Sequence, residues 1–184
     1  MFKQENVMRK IKLYIAVSLD GYIATPSGDV DWLNEIPNPN GIDHGYKELM
    51  ESVDIVLMGG KTYHQIINFG GQWPYKEKTT YVIARHDTNI LKNENIHFLT
   101  EDFYKKLIAL KAEDGKDIWL VGGGELTTML LNCGLIDEMQ LCQVPIILGK
   151  GLPLFPNNPL KSKWKLKDSK SYDTGLVVNT YEKI

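Results

Sequence analysis

Asp117-Ile118-Trp119-Leu120-Val121-Gly122-Gly123-Gly124-Glu125-Leu126-Thr127-Thr128-Met129-Leu130-Leu131-Asn132-Cys133-Gly134 reads as three elements in succession. The apolar run Ile118 to Val121 is a buried strand. Three glycines make a turn, and Leu126, Met129 and Leu130 then fall at helical spacing until Gly134 stops the run. Glycine at such a junction lets the chain turn sharply and lets a ligand approach the backbone. The first N–H groups of the helix and the positive end of its dipole favour a phosphate there. Alone, the stretch equally allows a turn that only packs strand against helix.

The pattern occurs once more upstream. Val53 to Met58 is a second buried strand, followed by Gly59-Gly60-Lys61-Thr62 and a helix through about Ile67. This junction adds a cation and a hydroxyl, both able to bind phosphate. It is not a Walker A loop, whose first glycine would fall where this chain has Ile55.

Around these junctions, Lys12 to Ser18 is a strand broken by Asp20-Gly21, and Tyr22 to Ala24 is a short extended piece. Asp31-Trp32-Leu33 docks on the core. A helix begins near Asp43, with Tyr46, Leu49 and Met50 on one face, and Asp43 suits its N-cap. Thr80 to Ala84 is a strand ending at Arg85, Ile96 to Leu99 another, and Phe103 to Lys111 a helix with Phe103, Leu107 and Leu110 facing inward. Glu138 to Val144 is a further strand, and Trp164 to Tyr172 with Leu176 to Tyr181 a hairpin. Strands alternating with helices, then a hairpin, predict a mostly parallel sheet with helices on both faces and an antiparallel edge. Ligands bind such sheets beyond the carboxyl ends of the strands. Gly59–Thr62, Arg85 and Gly122–Glu125 would all lie there, which favours a dinucleotide.

The 184 residues fit a single domain, with residues 1–10 as a flexible lead-in. A hydrophobic share of 43% and a charged share of 24% are those of an ordinary globular protein. The net charge of −2 argues against a general nucleic-acid binder. No apolar run approaches the roughly 20 residues that span a bilayer. The N-terminus lacks the apolar core of a signal peptide, so a cytoplasmic protein is expected. Cys133 and Cys142 are read as buried free thiols, and no histidine spacing indicates a metal.

Six segments, taken in order, resemble the dihydrofolate-reductase-like superfamily, and most closely the reductase domain of the riboflavin-biosynthesis deaminase–reductase. They are Ser18 to Ala24, Asp31-Trp32, Leu57 to Tyr63, Val121 to Leu126, Leu135 to Met139, and Ile147 to Gly151. The resemblance implies a three-layer fold of that type, an NADPH-dependent reductase and a homodimer, for which Met139 to Ile147 could supply an apolar edge or else be a buried strand. Gly122, Gly123, Gly124, Glu125 and Leu126, with Val121, would hold the cofactor's diphosphate from one side, and Gly59, Lys61 and Thr62 from the other. Arg85 matches the position that holds the adenosine 2′-phosphate, and its planar fork suits that group. Val17, through its backbone, and Ile23, by packing, match positions flanking the nicotinamide.

The resemblance gives Asp43 a possible catalytic part as the acid of folate enzymes, beside its capping role. Asp20, Trp32 and Tyr46 are candidates to border the substrate, although Asp20 also suits a turn and Trp32 the core. Within the 184 residues there is no deaminase segment, so a stand-alone reductase of a pyrimidine- or pteridine-like molecule is expected. The first helix lacks the arginines with which riboflavin reductases grip a ribose phosphate, and Lys47 is its one cation. The alternatives are a dihydrofolate reductase and a nucleotide-binding module without catalysis.

Overall fold

A computed structural model describes residues 8–88 and 90–184. Its frame is an eight-stranded sheet. In chain order the strands are β1 (Ile11–Ser18), β2 (Tyr22–Ala24), β3 (Val53–Gly59), β4 (Thr79–Ile83), β5 (Ile96–Leu99) and β6 (Asp117–Gly122). They continue with β7 (Glu138–Val144), β8 (Leu152–Pro153), β9 (Trp164–Ser171) and β10 (Val177–Lys183). The helices are α1 (Tyr46–Ser52), α2 (Gly60–Asn68), α3 (Phe103–Ala112) and α4 (Gly124–Asn132), with a 3-10 turn over Asp31–Glu35.

The main sheet runs β5-β4-β3-β6-β1-β7-β10-β9; β2 and β8 form a separate pair. All pairings from β5 to β7 are parallel, and β10 and β9 add the antiparallel edge. This is the expected architecture. Its chirality explains the two helical layers. The chain steps from β1 to β3 and β4 with α1 and α2 on one face, then returns through β6 to β7 with α3 and α4 on the other. Right-handed crossovers require that change of face when the direction reverses.

Alternation sorts the core accordingly. Leu13, Ile55, Leu57, Ile118 and Leu120 pack with Leu107, Leu110, Leu126 and Leu130 of α3 and α4. Val56, Met58, Val82 and Trp119 pack with Leu49 of α1 and Tyr63 of α2.

Several expectations are corrected. The lead-in splits: residues 1–7 lie outside the described residues, but Arg9 is buried, donating to the Lys116 carbonyl and pairing with Asp54. The first helix begins at Tyr46, three residues after Asp43, because Gly45 takes a left-handed conformation (φ 95°) just before it. Cys133 is exposed; only Cys142 is a buried thiol. Of the two readings of Met139 to Ile147, the buried strand holds over residues 139–144, since β7 pairs with β1 on one side and β10 on the other. No helix among the described residues is long and apolar enough to cross a membrane.

Candidate functional site

β1 carries the feature that makes room for a ligand. It pairs with β7 over seven positions, Lys12 to Ser18, but with β6 over only three, Ile11 to Leu13. At the same level β6 gains a residue against β3: Leu57 faces Leu120 and Met58 faces Gly122, so Val121 is the extra one. A bulge of this kind bends a strand and ends its pairing. Gly122 completes the divergence at φ 129°, where a Cβ would stand 2.9 Å from Ile15 Cδ1. The last tie between the strands is the Trp119 indole, which donates to the Tyr14 carbonyl at 3.2 Å.

A cleft of about 820 Å3 fills the parting and runs along the carboxyl ends of β3, β4 and β6. Its upper wall is built by the two glycine junctions. Gly59 ends β3 and α2 starts at Gly60; Gly123 (φ 22°) precedes α4, which starts at Gly124. The junctions face one another closely. A Cβ on Gly123 would lie 3.2 Å from Thr62 Oγ1, and one on Gly59 would lie 3.8 Å from Leu126 Cβ. Two sets of helix-terminal N–H groups, which have no partner within their own helices, therefore open on one cleft. Lys61 spans the mouth to Glu125 at 3.2 Å, with both side chains largely exposed, so the bridge is easily exchanged for another anion. Arg85, exposed just beyond β4, lines the rim with Leu99 and Thr100.

Of the residues the sequence nominates, the cleft brings together Ile23, Gly59, Lys61, Thr62, Arg85, Val121, Gly123, Gly124, Glu125 and Leu126. Gly122 shapes the cleft from behind. Val17 belongs to the core, with its side chain packed among Leu13 and Leu126 on the face of α3 and α4.

Four other nominees also lie outside the cleft. Asp43 accepts the backbone N–H groups of Lys47 at 2.8 Å and Gly45 at 3.2 Å, and these bonds hold its carboxyl below the usual range. That is a cap over the start of α1. Asp20 accepts from Ser18 Oγ at 2.6 Å and from the N–H groups of Leu148 and Gly149, which lower its pKa and tie two turns together. Trp32 is buried against Val144 and Leu176. Tyr46 stands one layer back, its ring 5.7 Å from Trp119 and 6.3 Å from Tyr14.

Those last two rings, with Tyr75, make an aromatic floor that the sequence reading omits. Tyr75 meets Trp119 edge-on at 5.4 Å. Burial pushes the Tyr75 phenol well above its ordinary value, and does the same to Tyr14. The available signal was Tyr14 and Ala16, which alternate with the aliphatic Leu13 and Ile15 on β1. A second cavity of about 280 Å3 shares Tyr14, Ala16 and Leu33 with the cleft and continues past them to His44, Cys142 and Leu176.

A family model for the RibD C-terminal domain matches residues 9–178. The chain belongs to the RibD C-terminal domain family. This RibD C-terminal domain is 37% identical over 171 residues to YwjB of Bacillus subtilis (strain 168), covering 93% of the chain and 97% of the relative. It is 33% identical over 188 residues to YyaP of the same organism, covering 94% of each; both relatives are themselves described as uncharacterized. Among solved structures, a protein from Shewanella sp. PV-4 provisionally assigned to riboflavin biosynthesis superposes with a TM-score of 0.86 at 33% identity, over 95% of this chain and 99% of that one. RibD of Acinetobacter baumannii superposes with a TM-score of 0.72 at 19% identity, over 96% of this chain and 58% of that one. The domain therefore has the dihydrofolate-reductase-like fold of RibD reductases and belongs with reductase-type domains.

Proposed function

We propose that this RibD C-terminal domain is a cytoplasmic, NADPH-dependent reductase of a pyrimidine- or pteridine-like small molecule. The observation that carries the reading is the opposition of two glycine-opened helix N-termini across one cleft, beside the parting of β1 from β6. The residues fit a dinucleotide. The cleft's volume lies in the upper part of the range for ligand sites, about 300–1,000 Å3. A Cβ at Gly123 would crowd Thr62 between the two junctions, so glycine keeps that cradle open.

When bound, NADPH supplies the hydride. The chain's part is to bind, orient and exclude water. The first N–H groups of α2 and α4, with Lys61 and Thr62, would hold a diphosphate. Arg85, on the rim, would fork onto a 2′-phosphate. The parted edge of β1 offers backbone groups near Val17, while Ile23 and the Tyr14–Trp119–Tyr75 floor shield the reacting end. The domain is further proposed to act as a homodimer, which sedimentation velocity would report at twice the 20.9 kDa of the chain.

Fluorescence titration with NADPH and NADH tests the cofactor. Replacing Arg85 by Ala should weaken NADPH by about tenfold, the effect of losing roughly 1.5 kcal/mol of charge-assisted hydrogen bonding, with little change for NADH. Equal losses for both would remove Arg85 from the 2′-phosphate site, and no NADPH binding at all would overturn the reading. NADPH that binds but is never oxidised with a panel of acceptors would favour a module without catalysis.

A further inference from the structure

We infer that the acceptor is an uncharged heteroaromatic ring seated in the side cavity, and that phosphorylated or carboxylated acceptors are excluded from it. The inference rests on the reductase reading and concerns which small molecule meets the cofactor. It begins with where the positive charge lies. Among the described residues, Lys61 and Arg85 are the cations lining the two cavities, and both stand at the helix-terminal end of the cleft. With these two committed to the cofactor's phosphates, no cation among the described residues lines the other end. Among the described residues the side cavity carries no Lys, Arg, Asp or Glu in its lining. Lys170 sits over the Tyr172 ring at 5.0 Å, outside that lining.

The cavity's polar groups are neutral, and most are already engaged. Asn38 is turned onto the backbone of Ile42 through both its amide nitrogen and its oxygen, at 2.8 Å each. His44 Nε2 bonds Thr174 Oγ1 at 2.9 Å, and burial disfavours the charged form of the ring more than Asp43 favours it. The Tyr14 hydroxyl donates to the His44 carbonyl at 3.3 Å and sits against the Cys142 thiol. The phenol oxygen and the thiol lie in hydrogen-bond contact with each other, and this neutral pair is what a ligand would meet. Ala16, Leu33, Ile36, Val144 and Leu176 make the rest of the wall aliphatic.

An anionic group seated among these aliphatic side chains would give up hydration with no counter-ion in return, a cost that a neutral ring does not meet. A neutral ring gains the aliphatic contacts and one or two hydrogen bonds. At about 280 Å3 the space has room for one ring system. The positions Tyr14, Ala16 and Leu33, shared by both cavities, place that ring next to the parted sheet, where the reacting end of the cofactor would lie.

The test uses the full chain and two fluorescent probes with the same ring, lumazine and lumazine-6-carboxylate, titrated with and without NADPH. Lumazine should bind at least about tenfold more tightly than its carboxylate, the ratio that corresponds to about 1.4 kcal/mol. Leu33 lines both cavities and is itself 37% exposed, so Leu33→Lys places a cation at the wall without burying it in the core. That variant should shift the ratio of the two affinities by about tenfold toward the carboxylate. Equal or tighter binding of the carboxylate by the unaltered chain, or no binding of lumazine, overturns the inference. Failure to bind NADPH in the same titrations removes the cofactor reading instead, so the two failures are separable.

Discussion

Gly124→Ala is the substitution on which chain propensity and tertiary packing predict opposite signs. Gly124 is the first residue of α4, and its φ is not in the left-handed region, so alanine meets no backbone strain. On propensity alone the change would stabilise the helix, by up to about 1 kcal/mol. Packing says otherwise. The new Cβ would stand 2.4 Å from the Pro153 carbonyl oxygen, 2.9 Å from Pro156 Cδ and 3.2 Å from the Leu154 carbonyl oxygen, against the 3.0 Å below which real Cβ atoms essentially never approach. Two of these neighbours are backbone, so no rotamer change relieves them. Either the segment from Leu152 to Pro156 or the start of α4 must shift.

Overpacking of this kind costs about 1–3 kcal/mol. For a chain of this length a net loss of about 2 kcal/mol lowers the melting temperature by about 4–8 °C. The shift also moves the N–H groups proposed to hold the diphosphate, so NADPH affinity should fall by about tenfold. Thermal unfolding and NADPH fluorescence titration measure the two effects. Gly59→Ala is the internal comparison: Gly59 has φ −84°, and its Cβ would meet only Leu126, at 3.8 Å, so its stability should stay within about 0.5 kcal/mol. A Gly124→Ala protein at least as stable as the parent, with unchanged NADPH affinity, would refute both the packing of that segment and its connection to the site.

Arg9→Ala removes a buried side chain that donates to the Lys116 carbonyl and pairs with Asp54; because Asp54 is 44% exposed, the loss should be about 2 kcal/mol rather than the 3–5 kcal/mol of a fully buried pair, read as a fall in urea midpoint. An unchanged midpoint would return Arg9 to a frayed lead-in. Asp43→Ala should lower the melting temperature at pH 7 through the lost cap. The folded carboxyl titrates below its unfolded value of about 3.9, so its stabilisation is present above that value and disappears as pH falls through the lower folded pKa. The difference between parent and variant should therefore narrow below pH 4; a hundredfold loss of turnover with unchanged stability would instead make Asp43 the catalytic acid.

The frame of the site was legible because its signals are local. A buried strand, a glycine turn and an amphipathic run declare themselves within eighteen residues, Asp117 to Gly134, and the second junction repeats the pattern at Val53 to Ile67. What stayed hidden depends on distant approach. Trp119 reads as one more apolar residue of β6 until Tyr14 and Tyr75 are brought beside it. Pro153 and Pro156 carry no periodicity that would place them against Gly124. Asp43 carried two readings, a cap and a catalytic acid, and the carboxylate accepts the N–H groups of Gly45 and Lys47 at the start of α1, as the capping reading expects. Arg9 shows that a polar stretch can be anchored by one side chain whose partners lie over forty residues away.

The short ladder between β1 and β6 also has a mechanical meaning. Beyond Leu13 the last five residues of β1 belong to β7 and the hairpin, and the end of β6 belongs to β3, so the upper sheet is two leaves joined below by three paired positions and one indole bond. The leaf with β3 and β4 carries Lys61, Thr62 and Arg85, while the leaf with β1 and β7 carries Tyr14, Ala16 and Cys142. A molecule long enough to touch both becomes a fastener across a seam. Its binding free energy then appears as rigidity, and amide exchange along Tyr14 to Val17 should slow on NADPH addition by more than exchange in β9, which lies remote from the seam at the far edge of the sheet.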